Sequence, residues 1–467
     1  MKKIIELVFI ALTLCLGAGC SDFLEEESQD EVIPQTAKDF GELLLGAGYP
    51  STSESAGSIV GYLDDDKMFD TEGYMVGGTQ AEEMFPYVTW QPAMFQWGAG
   101  VGASASDYYK FFERIKGCNA VLNYIDGSIG TQAERDQVKA EALAVRAFHY
   151  FWLVNLYGEP YNYNKTALGV PLKLDVDVSE KGLARSTVEK VYEQILGDLN
   201  ASAKLFEKYN VVIGNYKINL PAVKILLSRV YLYMERWEEA AAAATDAIRV
   251  GGSLTDLTQF DGTKLVHMNT YDISEVTWIY GNNIAGPEGF WFSEDLVKAF
   301  SADDKRLGIY IIVSGSSHIA NKNQATYEPG QTLRIAEAYL NRAEAYARMT
   351  GKQSDAMSDL NTLRAHRITG YQNTTIADAN ELLDAIRLER RKELCYEGHR
   401  WFDLRRYGMP AIKHVFKADQ DSPVLTYTLK EKDPMYTLPL PASVTDKNTS
   451  LEQNESAYGP TRTGEAL

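Results

Sequence analysis

The chain has 467 residues, 45% of them hydrophobic and 24% charged, which excludes wholesale disorder and a collagen-like fibre. Its 46 Lys and Arg residues against 64 Asp and Glu residues give a net charge of −18. Binding to nucleic acid is therefore not expected, because phosphate contacts need clustered basic side chains. The 28 Tyr and 7 Trp residues are of interest, because these side chains recur at binding surfaces.

The N-terminus has the pattern of a bacterial lipoprotein signal peptide. A basic start is followed by an apolar run from Leu7 to Leu16, which is too short to span a bilayer. Small residues then precede Cys20, as in a lipobox. The pattern predicts a signal peptide over 1–19, lipidation of Cys20 and an acidic tether over 20–35. An ordinary secretory signal with an incidental Cys remains the alternative.

Helical periodicity dominates the next part of the chain. Apolar residues recur at steps of three and four over 108–125, 138–152 and 188–206, which predicts amphipathic helices that pack inward. Residues 220–250 and 333–365 follow the pattern of small and large residues of tetratricopeptide helix pairs. The two repeats are scattered, which favours helix pairs embedded in one larger domain. Cys118 and Cys395 lie in helical segments; a disulfide between them stays open, and buried free thiols are the preferred interpretation.

Long irregular stretches separate these helices, over 50–104, 158–184 and 252–330. The last of them contains short β-like runs such as 276–280. Long loops are uncommon in a compact domain unless they have a function. The predicted fold class is therefore mostly α: a single large domain with tetratricopeptide-like helix pairs as scaffold, long loops and short β segments.

Several motifs occur in order along the chain: Cys20 to Leu24, Ala144 to Phe148, Leu156-Tyr157-Gly158 with Pro160, Tyr339 to Ala345, Glu389 to Leu394 with Glu397 to Arg400, and Leu438 to Pro441. Together they resemble the SusD/RagB family, the surface glycan-binding lipoproteins of Bacteroidetes. The resemblance implies one helical domain over 36–467, with an N-terminal part of about 36–210 and a C-terminal part of about 211–467. It also implies a SusC-like TonB-dependent outer-membrane barrel as partner, and no cofactor.

Two groups of charged residues need an interpretation. Arg390, Arg391, Glu393, Glu397, Arg400 and Asp403 resemble an active-site cluster, but Arg–carboxylate pairs at helix spacing favour a structural lock between a helix end and the following turn. Asp64, Asp65, Asp66, Asp70 and Glu72 could supply calcium ligands, yet the spacing lacks the central Gly of an EF-hand. A solvated loop, or acceptors for sugar hydroxyls, is the preferred interpretation, and no metal site is predicted.

The candidate ligand-binding residues are loop aromatics and one acid. A sugar ring presents a face of C–H groups on which Trp and Tyr stack, while nearby polar groups bind the hydroxyls. Trp152, Trp237 and Trp401 are assigned to the core, and of Trp278 and Tyr280 one is expected to be buried. The predicted glycan-binding residues are Trp90, Trp97, Trp291, Tyr62, Tyr74 and Asp65.

The resemblance implies a non-catalytic function. The chain would bind oligosaccharide at the cell surface and deliver it to the SusC-like barrel, held on the outer membrane by its lipid anchor and facing the exterior. Alternatives are a helical glycoside hydrolase, a lid that captures peptide or glycopeptide for a RagA-like transporter, and a pure protein-interaction scaffold. The sequence does not name the glycan, because stacking aromatics read ring faces and not linkages.

Overall fold

The computed structural model describes residues 33–467 except 53–54, 70, 72–77, 97–100, 178–181, 210–213, 260–273, 282–289, 315–316 and 321–329. The predicted signal peptide, Cys20, most of the acidic tether, Tyr74 and Trp97 lie outside the described residues. The predicted domain boundaries stay predictions.

The described chain is mostly helical, with short strands between the helices. The longer helices are α1 Ala37–Ala47, α2 Thr79–Val88, α3 Val101–Tyr124, α4 Gln132–Tyr157, α6 Val188–Tyr209, α7 Leu220–Tyr233, α8 Trp237–Val250, α11 Ile335–Arg348, α12 Gln353–Ala365 and α13 Ala379–Leu394. The shorter ones are α5 Tyr161–Asn164, α9 Glu294–Lys298, α10 Lys305–Tyr310, α14 Arg400–Arg406 and α15 Ala442–Thr445. The strands are β1 Lys67–Phe69, β2 Val276–Gly281, β3 Phe290–Phe292, β4 Ile311–Ser314, β5 Ser317–Ala320, β6 Gln331–Arg334, β7 Ile412–Phe416, β8 Leu425–Leu429 and β9 Glu465–Ala466. The mostly α fold class is confirmed.

Helix α4 is the central helix of the N-terminal half. Thr131 caps it: its hydroxyl accepts from the Glu134 N–H (3.2 Å) and its own N–H donates to the Glu134 carboxylate (2.7 Å), a capping box. Nearly every side chain from Val138 to the helix end is buried, because α3 and α6 both pack against α4. Inside this packing, Arg146 binds the Asp198 carboxylate of α6 with two nitrogens (2.8 and 2.7 Å).

The two predicted tetratricopeptide-like pairs are present as α7 with α8 and α11 with α12. Helix α11 also packs against α8, so the two pairs form one continuous layer although they are far apart in sequence. Small residues such as Ala240, Ala244 and Ala343 are buried where the helices approach each other. A buried two-nitrogen contact between Arg229 and Glu337 (2.6 and 2.7 Å) joins α7 to α11.

The expected core residues are largely where the sequence places them. Cys118 and Cys395 are buried and free, and Trp152 and Trp401 are buried, whereas Trp237 is half-buried at the edge of α8. One of Trp278 and Tyr280 was expected to be buried, and the structure buries both. Strand β2 is paired with β6 and covered on both faces, with the Phe148 ring 5.0 Å from Trp278 and 4.8 Å from Tyr280.

The C-terminal half encloses a buried ion network. The Glu393 carboxylate of α13 accepts from Arg306 (2.8 Å), Arg334 (2.6 Å) and Arg367 (2.9 Å), and all four side chains are fully buried. Arg390 binds Asp403 (2.8 Å), which ties α13 to α14 as the sequence predicted. The structural interpretation is confirmed, but the partners of Glu393 come from α10, β6 and the residues after α12. The network therefore fastens three separate segments and not only one helix end.

Candidate functional site

A small ribbon at the surface carries the one predicted tryptophan that the structure shows to be half-exposed. Strands β1 and β3 are antiparallel, with Met68 opposite Trp291 and Lys67 opposite Phe292. Residues directly opposite share a face and successive residues alternate. Met68 and Trp291 therefore share the outer face, where both are half-buried, whereas Phe292 lies on the inner face and is buried. The ribbon presents a thioether beside an indole ring to solvent.

The inner face of the ribbon rests on aromatic rings. Phe292 stacks on Tyr396 with ring centroids 4.2 Å apart, and Phe69 stacks on Phe416 at 4.7 Å. The backbone N–H of Ser293 donates to the Asp66 carbonyl at 2.8 Å, which extends the pairing by one step. The backbone that carries Trp291 is thus fixed from beneath, and little conformational freedom would be lost on binding a ligand.

Asp65, predicted to bind sugar hydroxyls, belongs instead to a structural anchor. Its carboxylate accepts from Arg400 at 2.6 and 2.8 Å, and the neighbouring Asp66 accepts from Arg391 at 2.6 Å. Burial opposes ionisation, but the hydrogen bonds and charge of Arg400 hold the pKa of Asp65 below its ordinary value of 3.8. The interpretation of 64–66 as a solvated loop is wrong, because Asp64 and Asp66 are buried. Asp65 and Asp66 thus tie the residues just before β1 to Arg400 at the start of α14 and to Arg391 in α13.

Trp90 is a core residue, so the prediction that it is exposed for stacking is wrong. The side chain is 0% exposed, and its indole N–H donates to the Leu63 carbonyl at 3.1 Å. The ring stacks on His414 of β7 at 4.1 Å. Burial follows because the turn after α2 packs under β7. The sequence around Trp90 has the composition of a surface loop. Only the contact with a strand more than 300 residues away in the chain buries the indole ring.

The other predicted residues have mixed outcomes. Tyr62 is half-buried, with its ring centroid 5.7 Å from that of Tyr87, and burial raises its pKa to about 12. It is held by the fold and is not a free platform. Tyr74 and Trp97 lie outside the described residues. Of the described candidates, Trp291 alone keeps an outward-facing, partly exposed ring.

Sequence reasoning missed two features of this site. Met68 is not among the predicted binding residues, although its position opposite Trp291 gives it the outer face of the ribbon. The anchors from Arg391 and Arg400 were also missed, because they join Asp65 and Asp66 to residues 325 and 335 positions away. Alternation in the short run 67–69 was the signal for the first feature. No local signal exists for the second.

Two further observations bear on the chemistry of the molecule. Among the described residues, no group of three or more His, Cys, Asp and Glu side chains could hold a metal ion. Across the same described ranges, no helix has both the length and the apolar character needed to cross a membrane.

The buried Asp64 predicts a pH-dependent stability. Burial and the nearby Asp66 carboxylate raise the pKa of Asp64 from 3.8 to about 7. Because the pKa of Asp64 is higher in the folded protein than in the unfolded chain, protonation of Asp64 favours the folded state. The stability that this protonation contributes is fully present below about pH 4 and is lost as the pH rises through 7. Asp64→Asn keeps the acceptor for the Asp66 N–H (3.0 Å) and should gain on the order of 2 kcal/mol over the parent at pH 8.

Urea unfolding of both proteins at pH 4 and pH 8 measures this effect. The advantage of Asp64→Asn should be several-fold larger at pH 8 than at pH 4. Asp419→Asn is the control, since this carboxylate is exposed and its pKa is lowered by its hydrogen bonds to Ser422. An equal advantage for Asp64→Asn at both pH values would contradict the assignment.

The fold and the site together define a class of protein. It is a mostly helical molecule in which tetratricopeptide-like pairs form a scaffold and a short β-ribbon displays an aromatic ring at the surface. Two family models match in order: one described as starch-binding associating with outer membrane over residues 22–232, and the SusD family model over 301–458. The chain belongs to the SusD family.

Solved structures and curated relatives agree with this assignment. A SusD superfamily protein from Bacteroides thetaiotaomicron has a TM-score of 0.71 at 23% identity and covers 90% of this chain and 99% of its own. A SusD-like carbohydrate binding protein from Bacteroides vulgatus has a TM-score of 0.68 at 21% identity, over 89% and 97% of the two chains. At such identities the likeness shows the fold.

One curated relative, a SusD-like protein of Formosa agariphila, is 25% identical over 346 residues, which are 58% of this chain and 66% of that protein. The starch-binding protein SusD of Bacteroides thetaiotaomicron is 35% identical over 128 residues, which are 26% of this chain and 20% of that protein. The chain therefore matches just under two thirds of the first relative and a fifth of the second.

Proposed function

We propose that the protein is a non-catalytic binding protein for oligosaccharide, with Trp291 as a stacking platform. The observation that carries the proposal is the outer face of the ribbon, where Trp291 and Met68 face solvent on a backbone fixed from beneath. Family membership supports the ligand class, since one matching model is described as starch-binding and a structural neighbour is named as carbohydrate binding.

The geometry favours binding over hydrolysis. A glycoside hydrolase needs two carboxylates flanking the scissile bond, about 5–9.5 Å apart. Of the described acids that flank the ribbon in sequence, Asp65 and Asp66 are already bound to Arg400 and Arg391, and Glu294 pairs with Lys298 at 2.7 Å. Stacking of one aromatic ring contributes about 0.5–1.5 kcal/mol beyond the area that it buries. Binding at this face would therefore be weak for each sugar ring, which suits capture followed by release.

The cellular setting is part of the proposal. Lipidation of Cys20, with removal of residues 1–19, would hold the protein on the outer membrane facing the exterior. A SusC-like TonB-dependent barrel would take the bound oligosaccharide inward. The matching model described as associating with outer membrane supports this location. The acidic residues after Cys20 would act as a solvated tether between membrane and domain.

Replacement of Trp291 tests the proposed function. We expect Trp291→Ala to weaken retention about tenfold, because stacking and the buried area of the ring are both lost. The measurement is affinity electrophoresis of the full chain, purified in detergent, in gels containing amylopectin, laminarin, arabinoxylan or inulin. The matched control is Trp237→Ala, which removes another half-buried Trp from helix α8, away from the ribbon. Its retention should equal that of the parent.

Each other outcome points elsewhere. Unchanged retention in Trp291→Ala, with the fold confirmed by circular dichroism, would exclude Trp291 as the platform. Release of sugars by the parent protein would favour the hydrolase alternative. If the parent is retained by none of the four polysaccharides but binds a peptide mixture, the carbohydrate proposal is wrong and the peptide-capturing alternative replaces it.

A further inference from the structure

A groove lies beside strand β8, on a part of the molecule that the ribbon does not reach. It has a volume of about 580 Å³ and runs between β8 and the C-terminal residues 455–465. A smaller recess of about 150 Å³ adjoins it, and both are lined by Asp433, Pro434 and Glu455. We call the two recesses together the C-terminal groove. None of its lining residues belongs to β1, β3 or β5.

Two exposed tyrosines line the C-terminal groove. Tyr458 is 76% exposed and lines the larger recess, and Tyr163 of α5 is 57% exposed and lines the smaller one. Within the described part of the chain, neither side chain makes a hydrogen bond or packs against another aromatic ring. Neither ring therefore takes part in the hydrogen bonds or aromatic contacts that stabilise the described fold. Exposed aromatic faces in a concave, polar setting are suited to stacking on a ligand.

The segment that carries Tyr458 is fixed at both ends. The Asn454 amide donates to the carbonyls of Tyr157 (2.9 Å) and Leu438 (2.7 Å). At the other end, Arg462 binds the Asp433 carboxylate (2.6 Å) and donates to the Trp90 carbonyl (2.8 Å). Tyr458 is thus an exposed ring on an ordered backbone, so stacking on it would cost little ordering entropy.

The polar groups of the groove indicate a neutral, hydroxyl-rich ligand. The Ser456 side chain is 3% exposed and lines the groove, yet its hydroxyl has no hydrogen-bond partner among the described residues. Such a group is costly to leave unsatisfied. Lys430 and the acids Glu159, Glu455 and Glu465 also line the groove and form no ion pair with another described residue, so the free charges have both signs. A strongly charged ligand would meet repulsion from one of them.

We infer that the C-terminal groove is a second carbohydrate-binding site for neutral oligosaccharide, with Tyr163 and Tyr458 as its stacking residues. Hydroxyl groups of the ligand would bind Ser456, Lys430 and Glu455. The inference rests on the proposed function, because it assigns the same class of ligand to a second surface. Two weak sites on one molecule would retain a long polysaccharide more strongly than either alone.

The test uses the full chain in detergent and the four polysaccharides already named. We expect the double variant Tyr163→Ala/Tyr458→Ala to be retained about threefold to tenfold less than the parent, and the triple variant with Trp291→Ala to lose retention. Tyr124→Ala is the matched control, because Tyr124 is also exposed but does not line the groove. Acetylation of lysine side chains, with and without polysaccharide, shows where the ligand binds. Bound polysaccharide should protect Lys430 from acetylation and leave the exposed Lys38 of α1 unprotected.

The outcomes separate the two proposals. Parent-like retention of the double variant, or an unprotected Lys430, would overturn the second site. If Trp291→Ala is still impaired in that case, the proposed function stands. Failure of all four polysaccharides to retain the parent would overturn the proposed function, and the second site with it.

Discussion

Glu393→Gln is expected to lower the free energy of unfolding by about 3–5 kcal/mol, a large part of the stability of an ordinary domain. The carboxylate accepts hydrogen bonds from Arg306, Arg334 and Arg367, and none of these side chains is exposed. Burial opposes ionisation of Glu393, but the three guanidinium groups prevail and hold its pKa well below 4.5. Gln keeps the shape of Glu but removes one buried negative charge from the network. It also turns one acceptor oxygen into an N–H donor that would face a guanidinium donor.

Urea unfolding followed by circular dichroism measures this loss. The control is Glu294→Gln, which removes the charge from an exposed pair with Lys298 at 2.7 Å. Its unfolding midpoint should match that of the parent, because exposed ion pairs contribute little. A Glu393→Gln midpoint equally close to the parent would show that the network is not the lock between α10, β6 and α13.

Gly117→Ala is the second substitution with a large expected effect. Helices α1 and α3 touch at this residue, where an added Cβ would lie 2.3 Å from the Ala47 carbonyl oxygen and 2.5 Å from its carbon. The obstacle is backbone, so a helix must shift. We expect a loss of about 1–3 kcal/mol. This reverses the usual sign, since Ala is otherwise the better helix former by about 1 kcal/mol.

The matched control is Gly197→Ala in helix α6, where nothing lies within 4 Å of the added Cβ. Its free energy of unfolding should rise by about 0.5–1 kcal/mol, and its urea midpoint should rise with it. The pair is measured in the same urea titration as Glu393→Gln. Stabilisation by Gly117→Ala would mean that α1 and α3 do not approach as closely as the structure has them.

The sequence predicted the scaffold well because the signal is local. The steps of three and four over 138–152 are a property of one helix with a buried side, and α4 is that helix. The small residues around Ala240 and Ala343 likewise indicated close helix pairs, which α7 with α8 and α11 with α12 confirm. Cys118 and Cys395, interpreted as buried free thiols in helical segments, are buried and free.

The candidate site was predicted less well. Trp90 and Asp65 share the loop composition of Trp291, yet one is buried on His414 and the other is bound by Arg400. Both partners lie more than 300 residues away in the chain. The exposed Tyr163 and Tyr458 were not singled out, because nothing in their local sequence distinguishes them from the buried tyrosines.

Composition, periodicity and motif order by themselves determined an acidic, mostly helical chain of the SusD family with tetratricopeptide-like pairs and a structural Arg–carboxylate motif. These properties are written in neighbouring residues, since helix formation depends on side chains three and four positions apart. Only the tertiary structure decided which aromatic rings face solvent and which carboxylates are already bound. Exposure is set by what distant segments cover, as β7 covers Trp90 and as the open groove leaves Tyr458 uncovered.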